Sequence, residues 1–516
     1  MASGTETQLE RTLGFREALT IGVGTMVGAG IFVLPGPAAA LAGPAAAVAF
    51  VAAGGIAVLT ALSASELATA MPASGGPYHF INRGLGPVFG SIAGLGNWLG
   101  LAFATAFYAV GFGNYVAPLV SGILPPLGIG PLPLSGPQLG GLVAAVLFIG
   151  VNYLSTKGTG DLQNVIVIVL LGILGLFILL GVTQADVATL RPLFPEGPES
   201  VFPATALVFV SYLGFAQVAT VAGEIKQPGT NLPRAMVGGV LLVTAVYAVS
   251  MVILLGVVER AAIAGSGTAI ADGAAVVFGA FGSGVVGVGL LTFGGLLATA
   301  SSANASVLSA SRINYAMGRD GLMDARLSAI HDRFDTPHRS ILLTGGLILV
   351  FIVVGEVNSL ARAGSVLHLL VYGLLNVSLI VFRETRAGGY DPDFEVPFYP
   401  AVPALGAVLS FALIGFMELP EVLLAAGLVV GGIVWYVLMS AAALWTPARW
   451  RCTAARSRSR LKSRWSSTST PRRNAPRRWR RMADSWTPYV GNRWRTAALG
   501  RSRTHRSHPL DITHNS

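Results

Sequence analysis

Residues 22–35 read GVGTMVGAGIFVLP, and the reading of this stretch decides the fold. The run is apolar enough to sit in a bilayer, yet Gly22, Gly24, Gly28 and Gly30 lie inside it. Each interior glycine costs roughly 1 kcal/mol of helix propensity relative to alanine, so a helix here breaks most readily near Gly28 to Gly30. A broken helix in lipid exposes backbone groups, which is tolerated only where protein or a polar cavity satisfies them. The break then has a use. The half-helix that follows it presents free N–H groups and a positive dipole end to a carboxylate, and the half that precedes it presents carbonyls to an ammonium or a metal cation. The other reading is close helix packing, because Gly24 and Gly28 have GxxxG spacing. On this stretch alone both stand.

Working outward, the whole chain has the same character. Its 516 residues are 53% hydrophobic and 11% charged, with 65 glycines, whereas a soluble protein is about 25% charged. Lipid, not polar surface, must solvate the outer face of such a molecule. A spanning helix needs about 20 apolar residues, and twelve runs approach that length: 15–40, 44–70, 87–118, 138–154, 161–184, 200–223, 235–258, 274–311, 340–355, 365–382, 401–417 and 421–445. Residues 71–87, rich in Gly and Pro, read as a turn or a short re-entrant piece. Residues 1–14 are polar, and no small-residue cleavage site follows the first run, so no cleavable leader is expected.

Loop charges give the orientation. With the N-terminus inside, the inner segments hold Arg11, Arg16, Arg83, Lys157, Lys226, Arg234, Arg312, Arg319, Arg326, Arg333, Arg339, Arg383 and Arg386. The outer loops hold only Arg191, Arg260 and Arg362. This bias favours both ends on the cytoplasmic side of a cell membrane. The most charged stretch of the body, 312–339, reads as a solvated loop.

The net charge of +10 misleads. Residues 1–448 hold 16 Lys and Arg against 22 Asp and Glu, a balance of −6, while residues 449–516 hold 18 against 2, a balance of +16. The basic character therefore belongs to a tail, 446–516, that has no apolar periodicity and reads as disordered. One reading makes it a polybasic segment drawn to anionic headgroups. The preferred one is a GC-rich gene read out of frame, because five of the eight Trp lie there among unpatterned Arg.

The sixth run contains a second interruption, Phe202 to Gln217, where Ser211, Gly214 and Gln217 break an apolar sequence. Alone it reads as a helix with polar residues facing a bundle. Paired with the first run it reads differently, because interrupted helices at corresponding positions of two halves point to a transport site. Acidic residues within apolar runs are functional by default. Glu66 and Glu224 sit near run ends and read as structural or gating groups. His368 stands alone in the tenth run and reads as a packing residue.

Five segments in order then carry a resemblance. They are residues 27–32 (VGAGIF) with Pro35; Glu66 with Met71, Pro72 and residues 75–78 (GGPY); residues 223–228 (GEIKQP) with 232–235 (LPRA); residues 311–322 (SRINYAMGRDGL); and residues 394–400 (FEVPFYP) with Pro403. The chain resembles the amino acid–polyamine–organocation superfamily of permeases over residues 14–445. The resemblance implies an all-α polytopic membrane protein of the LeuT type: repeats over about 15–184 and 200–382, and two extra helices within 401–445. It implies that the amides of Gly28, Ala29 and Gly30, beside Ile31, take a substrate carboxylate. The carbonyls of Met26, Val210 and Leu213, beside Gly214, then take the α-ammonium. Phe209, Tyr212, Phe215 and Gln217 become candidates for lining or closing the pocket, with packing as the alternative for each aromatic. Gly24, Thr299, Ser301 and Ser302 become a candidate Na⁺ site; interhelical hydrogen bonding of small polar residues, Asn304 included, is the preferred reading.

Two departures qualify this. Many relatives carry an acidic residue where this chain has Ala216. Proton-coupled relatives often carry a Lys in the fifth helix, but residues 161–185 contain none and the matching region is Leu170–Leu171. Lysine-based coupling is therefore unsupported, and Na⁺ or H⁺ stays open as coupling ion. The expectation is a secondary transporter of amino acids, with an organic-cation or polyamine permease as the alternative and an ion channel behind it. A channel would need a filter motif or charged ring. No Walker motif or metal-spaced His/Asp/Glu cluster is present, and Cys452 is the single cysteine. No enzyme activity, cofactor, metal or nucleic-acid partner is expected.

Overall fold

The computed structural model describes residues 11, 13–72, 75–120, 128–129, 132–154, 159–385 and 390–444. The chain divides into the units Met1–Trp445 and Thr446–Ser516, and all described residues belong to the first. The reading of the tail lies outside the described residues, as do Lys157 and Arg386.

The described chain is helical. In order the helices are α1 Phe15–Met26, α2 Ala29–Val33, α3 Pro35–Ala42, α4 Ala46–Ala70, α5 Gly76–Leu85, α6 Pro87–Val120, α7 Gly136–Leu154, α8 Thr159–Gly181 and α9 Val201–Val208. They continue with α10 Gly214–Thr220, α11 Pro228–Val257, α12 Arg260–Ile263, α13 Ala269–Gly279, α14 Gly284–Arg319, α15 His338–Val354, α16 Val357–Glu384, α17 Ala401–Ile414 and α18 Leu419–Leu444. Extended structure among the described residues is slight: a two-residue pairing of Gly128–Ile129 with Leu132–Pro133, and a single bridge between Leu13 and Ile225.

Among the described residues ten spans are long and apolar enough to cross a membrane, counting α1 with α2, α3 with α4 and α9 with α10 as one each; α15, α17 and α13 are apolar but shorter. Their outer faces confirm which solvent they meet. Leu423, Val430 and Val437 of α18 are exposed by 60%, 61% and 56%. Their seven-residue spacing lays them on one stripe. Val165, Ile168 and Leu179 of α8 are exposed to the same degree. Apolar stripes this continuous belong against hydrocarbon.

Two local expectations change. The eighth run, placed at 274–311, is split by a turn after Gly279, and its second part, α14, continues to Arg319. Arg312 and Arg319 are thus helical. A hydropathy limit stops at the first arginine, but a helix that leaves the bilayer keeps its backbone hydrogen bonds and need not stop there. Residues 71–87 contain a ten-residue helix, α5, that buries Tyr78, Phe80 and Ile81. It is bounded by Gly75 at φ +126° and Gly86 at φ +90°, conformations that an L side chain rarely adopts.

Small residues set the spacing inside. A Cβ on Gly54 of α4 would lie 2.7 Å from Thr244 Cγ2 of α11, and one on Gly140 of α7 would lie 2.9 Å from the Gly113 Cα of α6. Gly54 thus makes room for a side chain of α11, while α6 and α7 approach backbone to backbone, as small-residue packing in lipid allows.

Candidate functional site

The first span is interrupted where the glycines are. Helix α1 ends at Met26, α2 begins at Ala29, and Gly28 between them has φ −51° and ψ −129°, outside the helical region. The sixth span is interrupted too: α9 ends at Val208, a 3₁₀ turn covers Phe209–Tyr212, and α10 begins at Gly214. The interruptions touch. A Cβ on Gly214 would lie 2.8 Å from Met26 Cγ and 2.9 Å from Met26 N. One on Gly30 would lie 2.6 Å from Ser211 Cβ. Outside the site, the Leu13 amide donates to the Glu224 carbonyl at 3.0 Å and the Lys226 amide to the Leu13 carbonyl at 2.7 Å. The start of one interrupted span is thereby tied to the end of the other.

Breaking a helix frees carbonyls that must be satisfied. Here buried tyrosines do much of this. Tyr247 Oη donates to the Met26 carbonyl, Tyr115 Oη to Phe32 at 2.6 Å, Tyr108 Oη to Val210 at 3.4 Å and Tyr372 Oη to Leu213 at 3.5 Å. Ser365 Oγ accepts from the Val210 amide at 2.9 Å. The three carbonyls singled out in the sequence, at Met26, Val210 and Leu213, are each reached by a tyrosine. Sequence reading missed these tyrosines, which sit in ordinary apolar runs of α6, α11 and α16; an isolated Tyr in a long apolar stretch was the available signal.

Two polar atoms at the sixth-span interruption have no partner. Ser211 Oγ and Gln217 Nε2 are buried without a hydrogen bond. Ser211 Oγ faces Gly30, where an added Cβ would come within 2.7 Å of it. Gln217 Oε1 accepts from Thr25 Oγ1 of α1 at 3.2 Å, which leaves its amide group free. Buried polar atoms without partners are rare and mark places where a ligand or water completes the structure.

The aromatic candidates pack rather than face open space. Phe209 and Phe215 lie 6.0 Å and 5.1 Å from the Tyr372 ring, and Tyr212 lies 5.6 Å from the Tyr247 ring, its hydroxyl donating to the Phe50 carbonyl at 2.8 Å. A narrow cleft of about 10 Å³ opens beside them, lined by Leu213, Gln217, His368, Tyr372, Asn97 and Ser309 among others. Of the four pocket candidates, Gln217 alone lines it.

Of the ion-site candidates, Gly24, Ser301 and Ser302 are drawn together. Ser302 Oγ donates to the Thr25 carbonyl at 3.2 Å and lies 3.5 Å from that of Gly24. Ser301 Oγ donates to Gln163 Oε1 of α8 at 2.8 Å, and the Gln163 side chain packs on Gly24. Thr299 turns instead to its own helix, donating to the Gly295 carbonyl at 2.7 Å. Asn304 accepts from Asn152 of α7 at 2.8 Å. Gln163 is therefore a member of this seam that sequence reading did not single out.

Glu66 of α4 is fully buried and fully satisfied. Arg383 grips it with Nε at 2.7 Å and Nη2 at 2.5 Å, the Tyr390 hydroxyl donates at 2.7 Å, and the Val396 amide donates at 2.7 Å. The segment 394–400 thus docks on α4 through this carboxylate. Burial, and then the bond to Glu66, push the Tyr390 phenol above its ordinary value, so it stays a donor.

Two interrupted spans crossing inside a shell of apolar helices define a multi-pass membrane protein of the permease type. The chain belongs to the amino acid permease family: residues 13–444 match the model described as "Amino acid permease". It is similar to the branched-chain amino acid permease BcaP of Bacillus subtilis, 30% identical over 425 residues that make up 80% of this chain and 89% of the relative. It is 29% identical to the serine/threonine exchanger SteT of the same organism over 79% of this chain and 91% of that one. A third relative from B. subtilis, the methylthioribose transporter, is 28% identical over 77% of this chain and 87% of its own length.

Proposed function

We propose that this protein is a secondary transporter of amino acids that works by alternating access. The observation that carries the reading is the contact between the two interrupted spans, with the unpartnered Ser211 hydroxyl and Gln217 amide beside it. The amides of Gly28, Ala29 and Gly30 bind the solute carboxylate at the start of α2, where N–H groups have no intrahelical partner. The carbonyls of Met26, Val210 and Leu213 bind the α-ammonium. A carbonyl oxygen has two lone pairs, so the tyrosines that already donate to these carbonyls can remain while the ammonium binds.

In this reading twelve helices cross the membrane, with α15 and α17 as the short members, arranged as two inverted five-helix repeats followed by α17 and α18. Both ends of the body face the cytoplasm, as the excess of basic inner segments requires. Glu66 and Arg383 hold the cytoplasmic end of α4 and α16 together. Two of the three relatives, named for branched-chain amino acids and for serine and threonine, support amino acids, and no acidic residue lines the cleft to favour a polyamine.

The test is uptake of a labelled amino-acid panel by purified protein in lipid vesicles, with Na⁺ and proton gradients imposed separately. Saturable uptake of at least one amino acid is the expected result, and the gradient that accelerates it names the coupling ion. Absence of uptake and of exchange for every amino acid overturns the reading.

A further inference from the structure

We propose that Gln217, His368, Asn97 and Ser309 form the subsite that selects the solute side chain, and that it admits neutral amino acids carrying a hydroxyl or an amide. The inference rests on the transport reading above and specifies its substrate.

The cleft adjoins the site through Leu213, whose carbonyl belongs to the ammonium cradle and whose side of the sixth span also carries Gln217. Gln217 is 5% exposed. Its oxygen is committed to Thr25, so only its amide N–H groups remain to be satisfied. His368 is 1% exposed, and its Nδ1 lies 2.8 Å from the Gly364 carbonyl. A carbonyl only accepts, so Nδ1 carries the proton and Nε2 of the neutral ring offers a lone pair. Gly100 of α6 makes room for this ring: a Cβ there would stand 2.6 Å from both His368 Cε1 and Nδ1. Asn97 and Ser309, both buried, add an amide and a hydroxyl to the same wall.

The wall therefore offers donors and acceptors together, and no lining residue is acidic or a Lys or Arg. A hydroxyl or amide side chain uses both kinds of group. An aliphatic side chain leaves the Gln217 amide dry and unpaired, which a buried polar group resists. A charged side chain loses hydration and meets no counter-charge. The asymmetry is large in principle, because a site built to hydrogen-bond a polar group rejects the analogue lacking it far more strongly than an apolar site rejects an extra methylene.

The experiment uses the full chain in lipid vesicles and measures uptake of labelled serine, threonine, asparagine, glutamine, valine, leucine, lysine and glutamate. At least one of the first four should half-saturate at a concentration about tenfold or more below that for leucine. Gln217→Leu should raise that concentration about tenfold more than it raises the value for leucine. Because Gln217 also bonds Thr25, Asn97→Ala serves as the second variant with the same expected direction, and monodisperse elution confirms that each variant is folded. Wild-type preference for leucine or valine overturns the subsite, as does an equal weakening of every solute by both variants. Failure to take up any amino acid is a different result: it removes the transport reading itself.

Discussion

The hydroxyl of Tyr247 donates to the carbonyl of Met26, the last residue of α1. Both residues are buried, and the bond joins α11 to the interruption of the first span. It satisfies a carbonyl that the broken helix frees. The interruption is thus held by a neighbouring helix as well as permitted by its own glycines.

Removing that hydroxyl should loosen the interruption. Tyr247→Phe leaves the Met26 carbonyl short of a donor, and a buried unsatisfied group of this kind costs about 1–3 kcal/mol. The variant should insert normally but melt at a lower temperature in detergent, and saturating substrate should restore part of the loss. A melting curve identical to wild type would show that the carbonyl finds another donor.

Side chains at the glycines of the first span should weaken binding. A Cβ at Gly28 would stand 2.6 Å from Ser302 Cβ, and one at Gly30 as close to Ser211 Cβ. Overpacking typically costs about 1–3 kcal/mol, so Gly28→Val and Gly30→Val should each weaken binding by about tenfold to a hundredfold while the protein still reaches the membrane. Wild-type affinity in either variant, measured by equilibrium binding, refutes the cradle.

The Glu66–Arg383 pair should be needed as a pair. Losing one partner of a buried ion pair strands the other charge and costs about 3–5 kcal/mol. Arg383→Ala leaves Glu66 with the Tyr390 hydroxyl and the Val396 amide but no cation. Glu66→Ala leaves the guanidinium without its carboxylate. Each single variant should lose much of its thermal stability, and the Glu66→Ala, Arg383→Ala double variant should lose less than the two combined. Additive losses would mean that the two side chains act independently.

His79, on α5, should make stability depend on pH. Burial, and after it the Arg83 guanidinium, hold its imidazole below the usual 6.5. Below pH 6.5 the unfolded chain takes up a proton that the folded chain declines, so this residue lowers stability as pH falls from 7 toward 5. His79→Gln should therefore flatten the pH dependence of the melting temperature over that interval. An unchanged slope would place the proton elsewhere.

Much of this was legible in the residues. The two interruptions follow from Gly28, Gly30 and Gly214, because glycine permits a break that a bilayer otherwise forbids. The long spans follow from apolar length. The limits of α14 did not, since hydropathy records lipid depth and not hydrogen bonding. Nor did the partners of Glu66, which are 317 and 324 residues away along the chain for Arg383 and Tyr390.

The sequence by itself determined that the chain lives in a membrane, which way its basic loops bias it, and where its helices can break. These are properties of composition and local backbone preference, and they need no neighbour to act. Only the tertiary structure decided which groups satisfy the breaks. It chose Tyr247, Tyr108 and Tyr372 as donors, brought Gln163 to Gly24, and turned His368 from an isolated histidine into part of a polar wall with Gln217. Those assignments depend on which helices touch, and a hydrogen bond between distant segments leaves no mark on either segment alone.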